Sequence, residues 1–102
     1  MHSTDAQMVV LTVLADGPRH GYAINTAIEE LTGRRLGPGS LYGALARLEA
    51  RGLIEPVADD AAPDRQRTMR ITDVGRDTLR AELEQLARVA RAGLRALGVD
   101  PA

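Results

Sequence analysis

Between residues 34 and 52 the chain gathers arginines, a hydroxyl and a phenol around a run of small residues. Arg34, Arg35, Arg47 and Arg51 meet a single acid there, Glu49, which leaves the segment with a net charge of +3. Ser40 and Tyr42 are the other side chains with polar ends on the same stretch. Guanidinium forks match phosphate oxygens and the acceptor edge of guanine, and hydroxyls donate to phosphates and base edges alike. Residues of these types suit contact with an anionic surface that offers hydrogen-bond acceptors. They do not suit acid–base or nucleophilic chemistry. There is no cysteine, the two histidines His2 and His20 lie far apart in sequence, and no nucleophile has a base at usable spacing. Neither catalysis nor a metal or cofactor is expected.

The element that must position these groups is a short, bounded helix. Pro38 suits the first helical position, where its fixed φ fits and its missing N–H would have had no partner. Gly52 suits the residue just past the end, and Leu53 can supply the apolar contact that follows such a cap. Leu41, Ala44, Leu45 and Leu48 recur at helical spacing and form the inward face. The outward face is Gly39, Gly43, Ala46 and Ala50, flanked by Ser40, Arg47 and Arg51 on one side and Tyr42 on the other. A rod of small residues edged with guanidinium groups fits a DNA major groove. Its expected DNA-facing residues are Arg34, Arg35, Pro38, Gly39, Ser40, Tyr42, Gly43 and Arg47. An ordinary amphipathic helix whose arginines meet only water is the plain alternative; the flanking segments favour the groove.

Upstream, Thr4 and Gln7 read as a capping box opening a first helix. Val9, Val10, Val13 and Leu14 bury it, and Asp16, Gly17 and Pro18 end it. A second helix follows Arg19 and His20, with Ile24, Ala27, Ile28 and Leu31 inward and Gly33 at its end. His20 takes a capping or packing role. Helix, tight connection and helix is the arrangement that holds a second helix out for groove docking.

Downstream the period changes. Residues 53–57 are short and extended, and Pro56 confines them to an edge. Residues 58–66 form a polar loop with Asp59, Asp60 and Asp64; residues 67–72 then alternate, with Met69 and Ile71 inward. Two strands and a loop make a wing whose returning limb carries Arg65, Arg67 and Arg70, the first two being further DNA contacts. The acids at its tip repel phosphate. Thr72 caps a last helix running from residue 73 to about residue 97. On it Leu79, Leu83, Leu86, Ala90, Gly93 and Leu97 step by four and three in a heptad-like seam. One small domain has little core left for so long a stripe, so the seam is expected to meet a second copy. Arg80–Glu84 and Glu84–Arg88 can pair on its exposed side, and Arg88, Arg91 and Arg95 suit the negative end of the helix dipole.

The expected fold is mostly α with a small two-stranded β wing. A winged helix-turn-helix spans residues 1–72 and a long C-terminal dimerisation helix spans residues 73–102, as one structural unit. The 102 residues suffice for one domain. The formal net charge of −1 does not suggest a nucleic-acid partner, but residues 1–32 hold −3 while residues 33–52 hold +3. Local potential is what meets phosphate. All thirteen cations are arginine, which suits bidentate contacts or follows a coding bias of the source genome. Tyr22 and Tyr42 are the only aromatics, too few for a base-stacking platform, so the expected nucleic acid is double-stranded. With no cysteine, no visible targeting segment and no apolar run long enough to span a bilayer, a cytoplasmic location away from membranes is expected.

The segments LTVLADGPRHGYAI (11–24), LGPGSLYGALARLEARGLI (36–54) and RITDVGR (70–76) resemble the PadR family of bacterial transcriptional regulators. His20-Gly21-Tyr22 and Pro38-Gly39-Ser40-Leu41-Tyr42 carry the family's two signatures, and the likeness covers residues 8–80. The resemblance implies a winged helix-turn-helix homodimer on a roughly palindromic operator, usually repressing. It assigns groove-helix roles to Ser40, Tyr42 and Arg47 and wing contacts to Arg65 and Arg67. The length resembles the short branch, with one C-terminal helix and no separate effector domain. Gly43 stands where the family usually has Pro, Gly37 where it often has Ser or Thr, and Thr68-Met69 where an aromatic pair is common. A small-molecule effector is compatible with the family, but the last helix lacks the aromatics by which ligand-binding relatives stack one. The reading is a sequence-specific DNA-binding regulator; the alternative is a winged-helix protein-interaction adaptor without DNA binding.

Overall fold

The computed structural model describes residues 3–57 and 67–99. Along them run α1 (Ser3–Ala15), β1 (Arg19–His20), α2 (Gly21–Thr32), α3 (Pro38–Ala50), β2 (Ile54–Pro56), β3 (Thr68–Ile71) and α4 (Asp73–Ala96). The expected loop at 58–66, with Asp59, Asp60, Asp64 and Arg65, lies outside the described residues.

The core is built on α1, which packs against α2, α3, α4 and β3. Val10, Leu11 and Leu14 are almost wholly removed from solvent, each contributing about 1.5–3 kcal/mol relative to an exposed position. Burial from several sides is why a β-branched run is helical here. Thr4 already lies inside α1, so it does not open the helix. Gln7 Oε1 instead accepts from Arg51 Nη1 at 2.6 Å. In α2 the buried residues are Gly21, Ile24, Asn25 and Ile28. Leu31 is 57% exposed rather than buried, because the last turn of α2 runs past the end of the core. His20 takes the N-cap position of α2 with extended backbone, but its exposed side chain makes no capping hydrogen bond.

The sheet has three antiparallel strands in the order β1-β3-β2. The expected pair, β2 and β3, is joined by β1, with Arg19 opposite Met69 and His20 opposite Thr68. Two residues are too few to show a period; they form a strand because β3 offers an unpaired edge beside them. Pro56 sits at the end of edge strand β2, opposite Met69, where a missing N–H is tolerated. Met69 and Ile71 point into the core and Arg70 out, as the alternation predicts.

Thr72 caps α4, its Oγ1 accepting from the Gly75 N–H at 3.0 Å and donating to the Gly52 carbonyl at 2.7 Å. Gly75 lets the helix start against the chain: a Cβ there would fall on the Leu53 carbonyl and 2.8 Å from Ile71 Cγ1. Leu79 is 5% exposed and belongs to the core. From Arg88 onward every described residue is exposed, and the molecule measures 52 × 26 × 21 Å. Its long dimension is the distal half of α4, which no part of the described chain covers. Neither Arg80–Glu84 nor Glu84–Arg88 pairs; Arg88 donates to Gln85 Oε1 at 2.6 Å instead.

Candidate nucleic-acid interface

α3 is held at both ends. Pro38 takes its first turn, and Gly37 precedes it without a side-chain cap. At the far end the Leu53 N–H bonds the Leu48 carbonyl and the Gly52 N–H bonds the Glu49 carbonyl, both at 3.0 Å, with Gly52 at φ 74°. This is the paired closure that glycine makes inexpensive, and buried Leu53 completes it.

The turn before α3 is fixed by a residue that periodicity alone passes over. Asn25 is 9% exposed. Its Nδ2 donates to the Leu36 carbonyl and its Oδ1 accepts from the Leu36 N–H, both at 2.8 Å. The side chain thereby replaces a backbone partner on each side of Leu36, whose own side chain is buried. A signal was available: Asn25 is a polar residue on the face of α2 that carries Ile24 and Ile28.

Inward, α3 buries Leu41, Ala44 and Leu48, while Leu45 is half-buried. Outward, Gly39, Ala46 and Ala50 are exposed and Gly43 is half-buried, so the middle of the outer surface carries nothing larger than a methyl group. Pro38 and Ser40 are exposed beside it. Arg47 is exposed and folds back along the helix: a Cβ on Gly43 would lie 3.2 Å from Arg47 Nη1. Arg51 is bonded to neutral Gln7 and makes no ion pair among the described residues. Along the opposite edge lie half-buried Tyr42 and Glu49. Arg67 of the returning wing limb donates to Glu49 Oε1 at 3.1 Å.

The expected cations therefore divide. Arg34 and Arg47 are exposed and make no ion pair among the described residues. Arg35 pairs with Glu29 at 3.0 Å and lies 5.5 Å from the centroid of the Tyr22 ring. Arg67 pairs with Glu49, and Arg70 pairs across the sheet with Glu55 at 2.8 Å. Arg65 lies outside the described residues. Half-exposed pairs such as Arg35–Glu29 contribute about 0–1 kcal/mol, so that arginine can exchange its carboxylate for a phosphate at little expense.

The expected seam divides as well. Leu79 is taken up by the core of its own subunit and is not available to a partner. Leu83, Leu86, Ala90, Gly93 and Leu97 are exposed, Leu86 at 46% and Leu97 at 80%. Val89 and Leu94 widen that apolar surface. Among the described residues no group of His, Cys, Asp or Glu converges to hold a metal, and no helix is long and apolar enough to cross a membrane.

Comparison with known proteins agrees with this architecture. An uncharacterized 37.1 kDa protein of transposon TN4556 from Streptomyces fradiae is 56% identical over 90 residues, which cover 88% of this chain. The chain spans only 25% of that relative's length. A transcriptional regulator from Clostridium thermocellum superposes with a TM-score of 0.75 at 25% identity, covering 88% of this chain and 87% of the other. A PadR family transcription regulator from Clostridium difficile shares the fold, with a TM-score of 0.69 at 21% identity over 90% of this chain and 96% of the other. Residues 10–81 match the Transcriptional regulator PadR-like family. With its four helices, three-stranded wing sheet and C-terminal helix, the chain belongs to that family, whose members are transcriptional regulators and not enzymes.

Proposed function

We propose that the chain is a cytoplasmic, sequence-specific repressor that binds double-stranded DNA as a homodimer on a roughly palindromic operator. The outer surface of α3 carries this reading: a strip of Gly39, Gly43, Ala46 and Ala50, narrow enough for a groove, with the unpaired Arg47 beside it. Ser40 and Arg47 read base edges. Arg34, Arg35, Pro38, Gly39, Tyr42 and Gly43 lie along the backbone and groove wall, where phosphate contacts set the register. Arg65 is the wing residue that meets the neighbouring phosphates, while Arg67 stays paired with Glu49 at 3.1 Å. The uncovered face of α4 from Leu83 to Leu97 supports pairing of two copies, which sets the two α3 helices about 34 Å apart, one turn of duplex.

Mobility shift against fragments of the source genome tests this. A discrete complex is expected whose affinity falls steeply between low and moderate salt, as displaced counterions require. A flat salt response contradicts it. The adaptor reading draws on the net negative charge and on the three arginines near the wing and turn that carboxylates already occupy; that reading predicts no complex with any fragment.

A further inference from the structure

Glu49 is the only acid between residues 33 and 52, and it sits at the edge of the surface offered to DNA. A carboxylate there repels phosphate unless its charge is answered. It is answered by Arg67, at 3.1 Å, with both side chains partly withdrawn from solvent (28% and 38% exposed). Tyr42, Leu45, Ala46 and Met69 line the same cleft between α3 and the sheet, so the pair spans the join between helix and wing. Resting on the proposed function, we infer that Glu49 is a specificity-determining residue: it holds the Arg67 guanidinium on α3 and so keeps one sequence-independent phosphate contact from forming.

The consequence follows from how nucleic-acid affinity is composed. Each cation that neutralises a phosphate strengthens binding to every sequence and steepens the salt dependence by about 0.9 in log–log slope on duplex DNA. A cation engaged by Glu49 adds little to either. With random-sequence binding held down, the base contacts of Ser40 and Arg47 account for a larger share of the total. Glu49 thus acts through Arg67 and through charge, with no need to touch a base.

The test uses the 102-residue protein and a pool of random-sequence 30-base-pair duplex, with affinity measured across a salt series. Glu49→Gln keeps the shape of the side chain and removes its charge. The expected result is tighter random-sequence binding by several-fold and a slope steeper by about 0.9 per subunit. Adding Arg67→Gln to Glu49→Gln should cancel both changes. A thermal melt of each variant identifies any loss of fold. Wild-type binding with an unchanged slope in Glu49→Gln overturns the inference and leaves the DNA-binding reading standing. A gain that persists in the double variant also overturns it, because Arg67 would then not be the group restrained. No binding by wild type or variant removes both.

Discussion

Gly43 and Arg47 decide how closely the outer face of α3 can approach another molecule. Glycine in a helix interior is less favourable than alanine by about 0.5–1 kcal/mol, and the neighbour a Cβ would meet at 43 is the far end of the flexible Arg47 side chain. Gly43→Ala should therefore raise stability by about 0.5–1 kcal/mol in a thermal or urea melt, while weakening DNA binding, because a methyl and a displaced guanidinium intrude on the contact surface. Stability and affinity moving upward together would place Gly43 off the interface. Arg47→Ala should weaken binding to the cognate site by about 1–3 kcal/mol and random duplex by less. Equal losses on both would make Arg47 a phosphate contact. The types and spacing of these residues were legible along the chain, but the state of their charges was not. Glu49 meets Arg67 eighteen positions away and Glu55 meets Arg70 fifteen away, distances over which a local count of charges says nothing.

At the scale of elements, α3 reads directly from its ends, since Pro38 and Gly52 mark them and Leu41, Ala44 and Leu48 mark its buried face. What aims it reads poorly. Asn25 stands out as a polar residue on an apolar face, but its partner is a backbone eleven residues on. Asn25→Ala should leave the Leu36 N–H and carbonyl buried and unpaired, lowering stability by about 2–3 kcal/mol in urea denaturation. Protection of the Leu36 amide from hydrogen exchange should fall in the same variant. The start of α4 depends on a close approach that no local pattern announces. Gly75→Ala drives a methyl group into the Leu53 carbonyl and Ile71, and should cost about 1–3 kcal/mol or more as overpacking. A neutral melt for that variant would mean that α4 leaves the sheet more readily than its packing suggests. The two-residue strand β1 leaves no signal in the sequence, because a period of two needs more than one repeat to show.

For the molecule as a whole, the question is what covers α4. Its leucine spacing was visible along the chain, but only the fold separates Leu79, which closes the subunit's own core, from Leu83 onward, which faces solvent. Leu86→Glu should leave the core intact and yield monomers in sedimentation at micromolar concentration, with DNA affinity falling as the second α3 is lost. An unchanged sedimentation coefficient would place the contact between copies elsewhere. Net charge at this scale was misleading: −1 overall conceals an acidic first third and a basic helix. The proposed dimer requires two α3 helices in successive major grooves of one duplex. Footprinting of the wild-type protein on a genomic fragment it retains tests that arrangement. Two protected segments centred about one helical turn apart, on the same face of the duplex, are predicted. A single protected segment, or protection without that spacing, would contradict it.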